Sequence, residues 1–256
     1  MMKNLLIILS LLLVVETVSA QEIVMQETAL SDQVFGNQVE SDEPLPMNDL
    51  DIEFGYALYQ ADINVESDEA ILEVENIRDY AVVYLDEELQ GVVNDNNKTL
   101  ALNVDSGKYS LRIYVENIGR ITYGPEILDN SKGLFGDINI DGESIDNWII
   151  TELKIRNVDL GDLNFSEQKE VNLPCFHKGY VELDEPKDMY LDISGWGMGE
   201  VWINAQYQGS YWEEEKQQSI QVPASVLKKG KNELIVFELK NNKQNTMRFS
   251  EEPIFK

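Results

Sequence analysis

The sequence is poor in cysteine, histidine and positive charge, and each shortage excludes a class of site. The single cysteine, Cys175, allows no internal disulfide. One His and one Cys cannot complete a closed zinc site without carboxylates from elsewhere in the chain. The 47 acidic residues outnumber 20 basic ones, giving a formal charge of −27, and nucleic acids are bound through clustered Lys and Arg. We therefore predict no nucleic-acid partner, no metal and no cofactor.

Long apolar runs are also scarce, and the clearest one lies at the beginning of the chain. Residues 5–15 are largely apolar, Lys3 precedes them, and residues 18–20 (VSA) offer a small-residue cleavage site. Glu16 ends the run before the roughly 20 apolar residues that a membrane-spanning helix requires. This pattern predicts a signal peptide over residues 1–20, cleaved after Ala20. We expect a secreted or periplasmic protein with no membrane span in its mature form.

The remainder of the chain is rich in short runs of Val, Ile and Tyr. Examples are residues 81–85 (AVVYL) and 109–115 (YSLRIYV), with turn signals such as Asp-Gly between such runs. Residues 21–43 are polar and acidic, and we expect them to form a linker or a loosely docked tail. The many short strands predict an all-β protein. Because a β-sandwich takes about 100 residues, we predict two consecutive sandwiches, over residues 44–150 and 151–256.

Aromatic residues concentrate in residues 194–212 (SGWGMGEVWINAQYQGSYW). Their rings present apolar surface that can pack on the CH faces of sugars, so exposed Tyr and Trp beside Asn and Gln would suit a neutral glycan. The same side chains could instead fill a sandwich core, because Trp202 alternates with apolar neighbours. The candidate sugar contacts in this segment are Tyr207, Tyr211 and Trp212, and Trp196 is expected in the core.

Two other patterns suggest catalytic or metal sites but have simpler structural explanations. Residues 137–142 (DINIDG) place oxygen atoms as a calcium loop does, but Trp148 stands where the bidentate Glu is required, and a β-hairpin explains the pattern better. Cys175 and His177 would share a strand face, but no further Cys or His and no orienting group can be assigned to them. Among so many acidic residues, no pair can be assigned as the carboxylates of a glycosidase.

Residues 111–125 (LRIYVENIGRITYGP) contain an apolar strand followed by Val-Glu-Asn, Gly-Arg and Tyr-Gly, and residues 191–212 contain Gly-Trp, a strand and a closing Tyr-Trp. Both segments resemble the carboxy-terminal β domains of family 35 glycoside hydrolases, the β-galactosidases. Further segments that resemble this region, in the same order, are residues 44–59, 81–91, 133–148, 174–179 and 246–255. The resemblance implies two jelly-roll, galactose-binding-like sandwiches and a galactose-containing glycan as a ligand.

The resemblance also concerns a catalytic domain that family members carry in addition to the two sandwiches. The resemblance implies an amino-terminal (β/α)₈ barrel, typically about 250 residues, which holds the catalytic glutamates in family members. With 23 residues between the predicted signal peptide and Pro44, we expect this sequence to lack that barrel. By the resemblance, Tyr56, Arg120 and Tyr123 would face such a barrel, with Tyr123 near its galactose site. The alternative for Arg120 is an ion pair with Glu116 in a structural turn, and Tyr123 could equally belong to that turn.

We therefore expect no catalytic residue in this sequence. The first interpretation is a secreted, non-catalytic β-galactosidase-like protein that binds carbohydrate or docks to an enzyme of glycan degradation. The alternative is the β-domain half of a split family 35 β-galactosidase whose barrel is a separate chain. A continuous apolar surface around Tyr56 and Tyr123 would favour the split enzyme, because a barrel-facing surface would be apolar.

Overall fold

The computed structural model describes residues 22–119, 122–167, 171–240 and 243–256. The predicted signal peptide and Arg120 lie outside these residues. Within them the chain is almost entirely β structure, which confirms the predicted all-β fold class, and the helical segments are the short 3₁₀ turns Ser31–Val34, Met47–Leu50 and Pro125–Leu128. None of the helices in these ranges has the length and apolarity to cross a bilayer.

The described residues form nineteen strands. In chain order they are β1 (Glu22–Leu30), β2 (Phe35–Ser41), β3 (Gly55–Val65), β4 (Ile71–Arg78), β5 (Tyr80–Leu85), β6 (Glu88–Asn94), β7 (Thr99–Ala101), β8 (Gly107–Asn117), β9 (Gly133–Ile140), β10 (Glu143–Ser144), β11 (Trp148–Leu153), β12 (Ser166–Glu167), β13 (Cys175–Leu183), β14 (Met189–Asp192), β15 (Met198–Ile203), β16 (Gln206–Trp212), β17 (Ser219–Val222), β18 (Gly230–Glu238) and β19 (Thr246–Ser250).

The first sandwich packs a six-stranded sheet, in the order β2-β11-β3-β8-β5-β6, on a four-stranded sheet, in the order β10-β9-β4-β7. Strands β3 and β8 pair along their whole length, from Gly55 opposite Asn117 to Val65 opposite Gly107. Alternate residues of these strands, such as Ala57 and Tyr59, point into the core between the two sheets. The register of β3 and β8 therefore fixes which of their side chains face away from that core.

The second sandwich is one rolled sheet, in the order β16-β15-β18-β13-β1-β19-β14-β17. Strand β1 joins its two halves, because residues 25–30 pair with β13 and residues 22–24 pair with β19. The halves face each other across a second core, which includes Ile23, Val236 and Phe249. This architecture agrees with the jelly-roll-like sandwich expected for this half.

The linker predicted over residues 21–43 is wrong for the part that the structure describes. Strand β1 lies in the middle of the second sandwich, and β2 extends the first by pairing with β11. In β1, buried Ile23 and Met25 alternate with exposed residues, but the pattern is brief and its outward positions are largely acidic or amide residues. The sequence therefore looked like a polar tail. Strand β11, in turn, crosses the boundary predicted at residue 150 and stays in the first sandwich.

The two sandwiches are joined by a third apolar core, the inter-sandwich layer. It lies between the six-stranded sheet and strands β13, β15 and β18, and its members include Tyr56, Tyr84 and Tyr114 from the first sandwich and Phe176, Trp202 and Phe237 from the second. Strand β5 is buried at every position as a result, as strands covered on both faces are. Tyr84 also donates a hydrogen bond across the layer to the Leu239 carbonyl, at 3.0 Å.

Candidate functional site

The β15–β16 hairpin holds the aromatic residues that the sequence singles out for sugar binding. Its turn places Asn204 and Ala205 in the left-handed region, with φ of 50° and 62°, as a tight two-residue hairpin requires. Tyr211 is 5% exposed, and its hydroxyl lies 3.0 Å from Glu238 Oε2 and 3.1 Å from the Phe237 carbonyl. The predicted sugar contact through Tyr211 is therefore wrong, because alternation along β16 points this ring into the second core.

The other aromatic residues of the hairpin divide between core and surface. Trp196 is buried, as expected, and so is Trp202. Trp212 is half-buried, and its ring meets Tyr80 edge-on at 5.6 Å between centroids, so it is largely committed to the inter-sandwich layer. Tyr207 remains 48% exposed. Of the three aromatic residues predicted from this segment, Tyr207 offers the most open ring.

Tyr56, predicted to face a separate barrel, is instead buried between the two sandwiches. It lies on the face of β3 opposite to Ala57, and the second sandwich covers that face. Its hydroxyl donates a hydrogen bond to Glu200 Oε1 on β15, at 3.0 Å, and its ring meets Phe237 edge-on at 5.5 Å. The contact that the resemblance implied for a barrel is made here by the neighbouring sandwich.

Glu200 is the centre of a polar cluster at one edge of the inter-sandwich layer. The fully buried carboxylate accepts hydrogen bonds from Tyr56, from Arg156 Nε at 2.6 Å and from Tyr207 at 2.5 Å. Arg156 also lies 3.5 Å from Glu116 on β8. The Glu116–Arg156–Glu200 cluster thus combines carboxylates from both sandwiches with a guanidinium from the segment that connects them.

The two carboxylates of this cluster are not equally compensated. Burial, then repulsion by Glu200, raises the pKa of Glu116 to about 8. Burial and the hydrogen bond to Glu200 also raise the pKa of Tyr207 above its usual range. Sequence reasoning missed Glu200 and Arg156, and it considered Glu116 only as a partner of Arg120. The available signal was a charged residue inside an apolar strand: Glu116 follows LRIYV, and Glu200 stands within MGEVWI.

The carboxylate pair of this cluster is unsuited to glycoside hydrolysis, because both glutamates are buried and a retaining enzyme needs both at a glycosidic bond. The Cys175 thiol lies 3.3 Å from His177 Nε2, also buried, and burial raises the pKa of that thiol far above its usual range. A reactive cysteine has a lowered pKa, so this pair is structural. Among the described residues, no group of three or more His, Cys, Asp or Glu could hold a metal ion.

The loop between β8 and β9 carries the most exposed apolar side chains. Tyr123 is 92% and Leu128 is 95% exposed. Both ends of the loop are fixed by Asp79, which accepts hydrogen bonds from the Ile118 backbone N–H at 3.0 Å and from Lys132 Nζ at 2.6 and 2.7 Å. The loop is therefore anchored although its central side chains face solvent.

Further exposed apolar residues adjoin this loop. The Asn117 side chain donates a hydrogen bond to the Glu53 carbonyl at 2.9 Å, which brings the segment before β3 beside the start of the loop. Phe54 is exposed there and lies 5.7 Å from the Arg156 guanidinium. We call these exposed residues the apolar face: Phe54, Ile118, Tyr123, Ile127 and Leu128. The face borders the Glu116–Arg156–Glu200 cluster through Phe54.

The hairpin predicted for residues 137–142 is confirmed. Strands β9 and β10 pair through Ile140 and Glu143, and Asp141 and Gly142 form the turn with φ of 51° and 85°. Trp148, which occupies the position of the expected calcium ligand, is buried in the first core.

Comparisons with known proteins assign both sandwiches. Residues 44–154 match the model of the β-galactosidase first all-β domain, and residues 174–232 match that of the β-galactosidase galactose-binding domain. A β-galactosidase of Xanthomonas manihotis is 32% identical over 67% of this chain and 28% of its own length. Human β-galactosidase-1-like protein 2 is 29% identical over 79% of this chain and 33% of its own length. The chain thus spans about a third of the length of such curated relatives.

A solved structure of a lectin from Pleurotus ostreatus covers 93% of this chain at 10% identity, with a TM-score of 0.25, too low to support any argument about function. The domain matches and the curated relatives agree with the resemblance seen in the sequence. The chain is therefore a β-galactosidase-like protein that carries the family's first all-β domain and its galactose-binding domain.

Proposed function

We propose that this chain is a secreted, non-catalytic β-galactosidase-like protein that docks through the apolar face to a glycoside hydrolase barrel supplied by another chain. The observation that carries the proposal is the exposure of Tyr123 and Leu128 on a loop anchored at both ends. Clustered apolar side chains in contact with water are typical of a protein interaction site.

The position of the apolar face supports this role. The segment from β8 into its loop is the part of the sequence that most specifically resembles family 35 enzymes. Exposed apolar side chains at Tyr123 and its neighbours support docking, whereas Tyr56 is buried and contributes nothing to that surface. The same surface would serve a docking module or one half of a split enzyme. The two differ in whether the bound barrel needs the β domains for its activity.

A pull-down from the native secretome tests docking. The bait is the tagged chain, the captured material is assayed for β-galactosidase activity, and its proteins are identified by mass spectrometry. The Tyr123→Ser, Leu128→Ser double variant should retain on the order of tenfold less activity, since loss of two large apolar contacts at an interface commonly costs more than about 1.4 kcal/mol of binding. The matched control is Leu89→Ser, an exposed leucine on β6.

Three outcomes would contradict the proposal: equal capture by the double variant and the wild type, a captured enzyme without a glycoside hydrolase barrel, or hydrolysis of a β-galactoside at enzyme-like rates by the purified chain alone. If docking holds, the purified partner assayed with and without the β domains separates the two roles. A partner that loses activity alone is half of a split enzyme.

A second candidate function is binding of a neutral, galactose-containing glycan by the second sandwich. It is favoured by the half-exposed ring of Tyr207 and by the galactose-binding domain model that matches this region. A glycan array with the wild type and Tyr207→Ala tests it, with circular dichroism to confirm that the variant folds. Binding to galactosides that Tyr207→Ala abolishes would support this function, and equal signals would exclude Tyr207 as a contact.

Secretion is supported by the composition of residues 1–20 and has a direct test. Expression of the complete sequence with a carboxy-terminal tag should yield extracellular or periplasmic protein whose amino terminus is Gln21. Protein retained in the cytoplasm with Met1 at its amino terminus would contradict this part of the proposal.

A further inference from the structure

Glu116 is buried where two sandwiches meet, with little to compensate a negative charge. It is 2% exposed, its Oε1 lies 3.5 Å from Arg156, and its Oε2 is buried without a hydrogen-bond partner. Glu200, in contrast, accepts three hydrogen bonds at 3.0 Å or less, including the shorter contact to the same arginine. One guanidinium thus serves two carboxylates, and it lies closer to Glu200.

The other groups that face Glu116 do not supply the missing positive charge. Tyr56, its register partner on β3, donates its hydroxyl hydrogen bond to Glu200, and this neighbouring hydroxyl opposes the rise in the pKa of Glu116 less than burial and Glu200 promote it. Asp79, before β5, adds a second negative charge, and its cation Lys132 already lies within 2.7 Å of both Asp79 oxygens. Tyr207 on β16 donates to Glu200. Arg156 is the one cation within ion-pair distance of Glu116 among the described residues.

We propose that Glu116 takes up a proton when the two sandwiches pack together, so that the inter-sandwich contact is stronger in mildly acidic solution than in alkaline solution. An isolated charge in such a layer is costly to bury, and a carboxyl group avoids that cost by staying neutral. Glu200 remains the charged partner of Arg156. The cluster then holds one negative and one positive charge across the junction instead of two negative charges and one positive.

The direction of the pH effect follows from the raised pKa of Glu116, about 8 against an ordinary value of 4.5. Between these values the folded protein holds the proton and the unfolded chain does not, so unfolding releases a proton. The stabilisation that protonated Glu116 contributes is fully present below pH 4.5 and is lost as the pH rises toward 8. Between pH 4.5 and pH 8, the unfolding equilibrium constant should rise about tenfold per pH unit, because one proton is released on unfolding.

The test is urea unfolding between pH 5 and pH 9 for the wild type, Glu116→Gln and Glu40→Gln. Glu40 is exposed on the edge strand β2, so its variant controls for removing one charge from a highly acidic chain. The wild type and Glu40→Gln should lose stability with rising pH more steeply than Glu116→Gln, by about tenfold in the unfolding constant per pH unit up to 8.

Carboxyl-carbon NMR of the wild type gives a second readout that does not depend on any variant folding. The Glu116 signal should titrate near pH 8. A Glu116 signal that titrates near pH 4.5 would overturn the proposal, as would identical pH slopes for Glu116→Gln and Glu40→Gln. Neither measurement needs a docking partner or a glycan, so the inference stands or fails independently of the proposed function.

Discussion

The β15–β16 hairpin and the loop between β8 and β9 are both rich in apolar and aromatic side chains, but they lie in opposite environments. In the hairpin, Trp202 and Tyr211 are buried, and only Tyr207 presents much of its ring to solvent. In the loop, Tyr123 and Leu128 are almost fully exposed. An aromatic-rich segment therefore does not identify a binding surface by itself. Packed layers cover strand β15 at every position and the Tyr211 ring of β16, whereas nothing in the described structure covers Tyr123 and Leu128.

Replacing Trp202, a buried residue of the hairpin, should change the free energy of unfolding most. Trp202→Ala should lower the free energy of unfolding by about 3–5 kcal/mol, because it opens a cavity in the inter-sandwich layer beside Phe176 and Tyr207. Urea unfolding measures the change. Trp202→Phe leaves a smaller cavity and should lose less, and a loss below about 1 kcal/mol for Trp202→Ala would mean that the layer is loosely packed.

Removing the Tyr211 hydroxyl should have an intermediate effect. Tyr211→Phe takes a donor from the buried Glu238 carboxylate, and a buried acceptor that loses a partner costs about 1–3 kcal/mol. Thermal and urea unfolding report the loss. The matched control is Tyr123→Phe, whose ring is exposed, and similar stability of the two variants would contradict the assignment of Tyr211 to the core.

Replacing an exposed residue of the loop between β8 and β9 should affect stability least. Leu128→Ser should leave the free energy of unfolding within about 0.5 kcal/mol of the wild type, as substitutions at uncovered surface positions do. The same urea experiment checks it. A loss as large as that of Trp202→Ala would show that Leu128 is covered in solution, for example by a second copy of the chain, and the apolar face would then not be free to dock.

The sequence correctly predicted strands with a clear apolar run or turn signal, and it correctly predicted the family from segments that resemble it. The apolar run of β5 and the Asp141-Gly142 turn predict a strand and a hairpin correctly, and the β-galactosidase resemblance is confirmed. Strand β1 was missed because its outward side chains are polar and its core contacts come from β13 and β19, which are more than a hundred residues away. A local sequence pattern does not show which distant strands will pair with it.

The residues of the candidate site also divide into those that the sequence could identify and those that it could not. Tyr207 and Tyr123 could be named from composition and resemblance, whereas Arg156, Glu200 and the importance of Glu116 could not. These three ionisable side chains are distant in sequence, and only the packing of one sandwich on the other brings Arg156 within 2.6 Å of Glu200 and 3.5 Å of Glu116. The sequence does show where a carboxylate interrupts an apolar strand, but not which cation compensates it.

By itself, the sequence determined the all-β class, the division into two sandwiches and the relationship to β-galactosidases, since alternation, turn residues and family motifs are properties of adjacent positions. How Tyr207, Tyr211 and Trp212 divide between core and surface, which cation compensates Glu200 and which apolar residues remain exposed were decided by the tertiary structure alone. The physical reason is that burial and charge compensation depend on the opposing layer, and the residues of that layer come from the other half of the chain.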